Sequence, residues 1–292
     1  MSNESPRPAG RPRRQFRPVE VRAVRRVAPR LVSVSLGGDA LAGFEITAPA
    51  QHIKLALPGP GQSEPALPQP ALPQPALPQP GRLQPQAEPA SHGPVWPEDR
   101  PRPILRTYTP RRWDPETGLL DVELLLHGTG PASEWAERAA VGDRLAVAGP
   151  GGRSALPTDA ARYVIAGDES ALPAMGTLLE SLSPAARVEV LAEVAGPEDE
   201  IPLPTGPGTT VRWLHRSRPD AWGEALEQAL AGTDLGGPSA GTAVWVACEA
   251  VAVRRIRRHL LAERHLPPEL VVTRGYWRLG EADHPDHDHG ED

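Results

Sequence analysis

Residues 106–111 read Arg106-Thr107-Tyr108-Thr109-Pro110-Arg111. Alternate side chains of an extended strand share a face. Arg106 and Tyr108 then point one way, and Thr107, Thr109 and Arg111 the other. An arginine clamps a phosphate bidentately, and a tyrosine packs on a flat ring. The pair suits a ligand that carries both features. An ordinary barrel strand with snorkelling arginines looks the same when read alone.

A second constellation is His127-Gly128-Thr129-Gly130-Pro131-Ala132-Ser133, where a strand gives way to a helix. Gly128 and Gly130 let the backbone approach a ligand closely. Pro131 suits the first helical position. The N–H groups of Ala132 and Ser133 then face outward at a helix N-terminus, a site for anions. Ser133 adds a hydroxyl donor. A capped helix after a turn is the plainer reading of the same residues.

Three further motifs follow strands later in the chain. Ala166-Gly167-Asp168-Glu169-Ser170-Ala171-Leu172-Pro173 lacks the G-x-G-x-x-G pattern, yet can still place a nucleotide at a sheet edge. Cys248 and Glu249 sit at the end of a later strand. Cys248 either lines a pocket there or is a small buried residue, the commoner fate of free cysteine. Gly275-Tyr276-Trp277-Arg278 closes the last strand, and packing is its simplest role. The tail carries His284, His287 and His289. Imidazoles ligate many divalent metals, but a tail without a rigid frame makes weak sites, and no metal centre is expected.

These motifs need elements to position them. Up to residue 149, strand-like runs at 19–27, 30–36, 52–57, 104–113, 119–127 and 144–148 are separated by Gly and Pro turns. One short helix, 132–139, interrupts them. Six strands with little helix predict a six-stranded antiparallel β-barrel. From residue 162 strands and helices alternate. Strands are expected at 163–166, 188–194, 210–214, 243–247 and 270–273, with helices at 171–182, 221–231 and 250–265. That is the pattern of a doubly wound α/β domain, which binds ligands at the carboxyl ends of its strands. The reading divides the chain into a disordered basic tail (1–15), a barrel domain (16–156), an α/β domain (157–280) and an acidic His-rich tail (281–292).

Within the barrel region, about 59–100 is rich in proline and repeats Ala-Leu-Pro-Gln-Pro three times. Proline lacks a backbone donor and cannot join a sheet interior, so polyproline II or disorder is expected. An expanded loop is favoured over a ligand for a proline-recognition domain, because closure entropy grows slowly with loop length.

The 292 residues carry a net charge of −6, which argues against nucleic-acid binding. No apolar run approaches a membrane span, and the Arg-rich N-terminus lacks the apolar core of a secretory signal. The single cysteine excludes an intrachain disulfide. A soluble cytoplasmic monomer is the plain expectation. Lys54 is the only lysine among 31 basic residues. Its compact point charge is not equivalent to a guanidinium fork, which makes it a candidate for a specific role.

Taken together and in order, the motifs resemble the siderophore-interacting protein family, a branch of the ferredoxin-reductase-like flavoproteins. The likeness runs from about residue 16 to 280 apart from the proline insertion. It rests on R-x-Y-T-x-R at 106–111, H-G-x-G-P-A-S-x-W at 127–135, A-G-D-E-S-A-L-P at 166–173, W-V-A-C-E-A at 245–250 and G-Y-W-R at 275–278.

The resemblance implies an FAD-binding barrel, a nicotinamide-nucleotide domain, and reduction of ferric siderophores by NADPH or NADH. By position it implies that Arg106 meets the flavin diphosphate, Tyr108 packs on the ring and Thr109 lies near its N5. Arg111, His127, Gly128, Gly130, Ala132 and Ser133 would complete the FAD site. Asp168, Glu169, Ser170, Cys248 and Glu249 would border the nicotinamide nucleotide. Lys54, Arg153 and Arg278 would receive the anionic iron chelate. The family often has glycine at the position of Cys248, a departure here. His215, Arg216 and Arg218, after the third strand of the α/β domain, favour NADPH by offering partners for a 2′-phosphate. Two other readings stay open: a flavin reductase with a different acceptor, and a non-enzymatic iron-chelate binding module.

Overall fold

A computed structural model describes residues 15–59, 61–68, 97, 101–128, 130–152, 156–157, 159–237, 239–281, 284 and 288–290. The basic N-terminal tail, most of the proline insertion and Arg153 lie outside the described residues.

The first half is an antiparallel sheet of seven strands: β1 (Phe16–Ala28), β2 (Leu31–Gly37), β3 (His52–Leu57), β4 (Ile104–Tyr108), β5 (Pro110–Asp114), β6 (Leu119–Leu125) and β7 (Arg144–Gly151). Their order is β4-β3-β7-β1-β2-β6-β5. The expected single strand at 104–113 is two strands. Its halves pair with different neighbours, β4 with β3 and β5 with β6. They stand at opposite ends of the sheet order yet are joined through Thr109 alone. One run of chain therefore closes the barrel, which reconciles seven strands with the six expected. The core is built from inward residues such as Val34, Leu36, Ile53, Leu55, Leu120, Val122 and Leu124.

Helix α1 (Pro131–Arg138) links β6 to β7. Trp135 and Ala136 bury its inner face against the barrel core.

The second half is a parallel sheet of β8 (Arg162–Asp168), β9 (Val188–Val194), β10 (Thr209–His215), β11 (Thr242–Glu249) and β12 (Val271–Trp277), in the order β10-β9-β8-β11-β12. Helices α2 (Leu172–Ser181), α3 (Glu224–Gly232) and α4 (Ala250–Arg258) cover it. Every residue of β11 is buried, as expected for a parallel strand covered on both faces. Separate clusters lie on the two faces, Met175 and Trp245 in one and Leu226 and Val253 in the other. No helix among the described residues is long and apolar enough to cross a membrane.

The described tail residues pack on the fold rather than leaving it. Gly275 N–H donates to the Asp288 carbonyl at 3.0 Å, and Arg254 Nη2 lies 3.0 Å from Asp288 Oδ2. Asp288 and His289 lie along the outer edge of β12, whose backbone groups would otherwise be open to pairing with another chain.

Candidate functional site

The barrel and the parallel sheet meet at one cleft of about 2520 Å³. A pocket for one drug-sized ligand spans roughly 300–1,000 Å³, so this cleft has room for two large ligands. Residues 106–109, His127 and Gly130–Ala132 line the barrel side. Glu169, Ser170 and residues 274–281 line the other.

Burial keeps two groups on the barrel wall, Tyr108 and His127, uncharged. It pushes the Tyr108 phenol up to about 12 and holds the His127 imidazole below its usual range. Tyr108 therefore presents a neutral ring and His127 a neutral imidazole at pH 7. Thr109 is buried and hydrogen-bonds the Tyr276 side chain, which ties the closure point of the barrel to β12.

Gly130 caps α1 at φ +128°, and a Cβ there would stand 3.3 Å from His127 Cε1. No side chain caps this helix start. Its first N–H groups thus remain for an external anion, favoured by the helix dipole. Ser133 is buried, and its Oγ accepts from His127 N–H at 3.1 Å. These features fit a flavin dinucleotide: an arginine and a helix start for the diphosphate, and a flat neutral tyrosine for the ring.

Other expected site residues lie elsewhere. Arg111 does not line the cleft. Its guanidinium pairs with both carboxylate oxygens of Glu180 on α2, at 3.1 and 2.8 Å. Gly176 leaves room for it, since a Cβ there would meet Arg111 Nε at 3.0 Å. Cys248 is fully buried among the apolar residues behind β11, and burial pushes its thiol pKa well up. It is packing, not pocket wall. Glu249 caps α4, accepting from Val251 and Ala252 N–H at 2.6 and 3.0 Å. Gly128 is exposed beside the cleft. Lys54 sits on β3 directly across from Thr107, which lines the cleft. Arg278 lines the mouth and pairs with Glu281 at 3.3 Å.

Two family models cover both halves. The siderophore-interacting FAD-binding domain matches residues 20–154, and the siderophore-interacting protein model matches 160–280. The NADPH-dependent ferric-chelate reductase of Escherichia coli is 31% identical over 94% of this chain and 98% of its own length. The chain belongs to the siderophore-interacting protein family. The ferric vibriobactin reductase ViuB of Vibrio cholerae is 27% identical, covering 90% of this chain and 89% of its own. A siderophore utilization protein from T. fusca has a crystal structure that superposes with a TM-score of 0.76. It is 36% identical and covers 94% of this chain and 97% of its own.

In this siderophore-interacting protein the parallel-sheet side of the cleft rests on a buried ionic cluster. Glu169 is 2% exposed and accepts from Arg30 Nη1 at 3.2 Å, Arg216 Nη2 at 2.9 Å and Ala195 N–H at 2.9 Å. Arg216 also lies 3.8 Å over the Trp222 ring. It is therefore closed to a 2′-phosphate, contrary to the expectation from its place after β10. His215 and Arg218 are exposed but paired, His215 with Glu200 and Arg218 with Asp220 and Glu224.

Sequence reasoning missed Arg30, Trp222 and Glu123. Arg30 and Trp222 come from opposite halves of the chain, and no local spacing joins them. Glu123 is buried on the cleft wall with Oε2 unpartnered, and burial raises its pKa. A carboxylate outward on a barrel strand normally meets solvent. This one lies on the cleft, with Arg111 and the α2 residue Glu180 among its charged neighbours, which strand alternation cannot reveal.

Proposed function

We propose that this chain is an FAD-dependent ferric-siderophore reductase, driven by NADPH or NADH and working as a single chain in the cytoplasm. One observation carries the reading: a single cleft receives the barrel's Arg106, Tyr108 and α1 start on one wall and the carboxyl ends of β8 and β12 on the other. A flavin site and a nucleotide site that share a cavity bring donor, flavin and acceptor together. Both walls come from one polypeptide, so one chain suffices.

Bound FAD supplies the conversion of a two-electron hydride donor into the single electrons that Fe(III) accepts. The chain's residues bind and orient. Arg106 and the N–H groups at the start of α1 hold the diphosphate, and Tyr108 offers a neutral ring for packing. Thr109, hydrogen-bonded to Tyr276, would stand at the reacting edge of the ring. Lys54 and Arg278, with Arg153, attract an anionic chelate against the net charge of −6. The Arg278–Glu281 pair is a surface pair worth little, so an incoming anion can displace Glu281. No side chain is needed as nucleophile or general base. Ferrous iron binds hard oxygen chelators less tightly, so reduction releases the metal.

Anaerobic incubation of the protein with FAD, NADPH or NADH and several ferric siderophores tests this, with a chelator trapping Fe(II). Steady Fe(II) capture with at least one pair is expected. No capture with any donor removes the reading. So does purified protein that stays colourless after FAD is added.

A further inference from the structure

Asp168 ends β8 and has no exposed surface. Its Oδ1 accepts from Ser170 N–H at 2.9 Å and Ser170 Oγ–H at 2.5 Å. Its Oδ2 accepts from Glu249 N–H at 3.1 Å and Trp277 Nε1–H at 2.8 Å. An ionised carboxylate has about four lone-pair sites, so this one is saturated. The donors come from the turn after β8, the end of β11 and the end of β12. Those carboxyl ends are where a doubly wound sheet receives its ligand.

Ser170 and Trp277 line the cleft, with Asp168 behind them. Trp277 reaches this position through a bulge. Cys248 pairs with Gly275 and Glu249 with Trp277, so Tyr276 is an extra residue in β12. A bulge re-aims the side chains that follow it. The Trp277 indole then meets the Trp222 ring edge-on, centroids 4.6 Å apart.

We propose that Asp168 is a positioning residue: its ionised carboxylate pins Trp277 as the aromatic wall on which the nicotinamide nucleotide packs. The ligand half of this inference rests on the reading of the cleft given above. A protonated carboxyl has an O–H oxygen that cannot accept two donors. Glu249 N–H is fixed by the backbone, and the Ser170 hydroxyl can turn to accept a proton carried on Oδ1, so either site of protonation weakens the hydrogen bond from Trp277, whose acceptor is no longer charged.

Several groups face Asp168. Glu169 follows it, Glu193 comes from β9, Cys248 and Glu249 from β11, and Tyr276 from β12. Arg216 is engaged by Glu169 and lies 3.9 Å from Glu193. Burial pushes Asp168 up to about 6 and Glu193 up to about 7. The test must therefore read Trp277 itself.

Full-length protein labelled with fluorotryptophan provides that reading by fluorine NMR, with the Trp277 signal assigned from Trp277→Phe. The signal is expected to shift with a midpoint at about pH 6. In Asp168→Asn it should be displaced and lack the step at about pH 6. A Trp277 signal that stays still between about pH 5 and 8, or moves identically in Asp168→Asn, overturns the link. Should Asp168→Asn not fold, Ser170→Ala decides. Losing a hydrogen bond to the charged form raises the midpoint, and an unchanged midpoint overturns the link. Titration with NADPH tests the ligand half. Asp168→Asn should weaken NADPH about tenfold and leave FAD binding unchanged. Equal NADPH affinity overturns the ligand half. Wild-type protein that binds neither NADPH nor NADH defeats the reading of the cleft instead, and the NMR shift still decides the link.

Discussion

Arg30, at the turn between β1 and β2, holds its Nη1 3.2 Å from Oε1 of Glu169, the residue that follows β8. The contact joins barrel to parallel sheet beneath the cleft. Glu169 has a second, fully buried partner in Arg216. Removing one partner of a buried ion pair leaves an uncompensated charge and costs roughly 3–5 kcal/mol. Glu169→Gln should lose about that much in urea unfolding, because Arg216 stays buried. Arg30→Ala should lose only about 1 kcal/mol, since Arg30 is partly exposed and Glu169 keeps Arg216. Equal losses would show that the clasp, not the buried pair, carries the energy.

Glu193 gives the fold a pH dependence of defined sign. Burial raises its pKa from 4.5 to about 7. Between those values the folded state holds a proton that the unfolded state has released. Its contribution to stability is fully present below about pH 4.5 and is lost as pH rises through about 7. At about 1.36 kcal/mol per unit the effect is on the order of 3 kcal/mol. Urea unfolding across pH 5 to 7 should show stability falling with pH in the wild type and a flatter profile in Glu193→Gln. An unchanged slope would assign the proton to another group.

The architecture was legible because both halves obey simple periods. β2 and β6 alternate as barrel strands do, and β11 is a continuous apolar run that only a doubly covered strand tolerates. The cleft-lining residues of the barrel were also legible, since Arg106, Tyr108 and the α1 start are local motifs. Arg111 was misread for a physical reason. Strand alternation assumes one phase, but the chain breaks at Thr109, and the β5–β6 register shifts between Pro110 and Arg112. The side chain turns to α2. Arg216 was misread because its charge suggested a phosphate, whereas its partner Glu169 lies far away in sequence and meets it only through the β8–β9 and β9–β10 pairings.

Arg106 is placed to carry the charge of the flavin diphosphate. Hydrogen bonds to charged groups contribute roughly 1.5–3 kcal/mol each. Arg106→Ala should therefore raise the FAD dissociation constant by about ten- to a hundredfold, read by quenching of flavin fluorescence. Gly130→Ala should also weaken FAD, by straining a φ of +128° and crowding His127. Tyr108→Phe should bind nearly as well as the wild type, because burial keeps the phenol neutral and the packing ring is retained. A large loss in Tyr108→Phe would mean that the hydroxyl, rather than the ring, makes the contact.

Lys54 tests whether charge beside the cleft selects the substrate. It lies across from Thr107, on the strand that precedes the proline-rich insertion. A half-buried cation beside the cleft acts mainly through encounter and partial neutralisation of an anionic chelate, so its effect should fade with ionic strength. Lys54→Ala should weaken a ferric siderophore several-fold at low salt and much less at about 0.5 M salt, with FAD affinity unchanged. Lys54→Arg should restore only part of the loss, because a guanidinium fork does not reproduce a compact ammonium. Arg278→Ala should add to it nearly in full if the two cations meet different parts of the ligand. Unaltered chelate affinity in Lys54→Ala at low salt would remove this lysine from the substrate site.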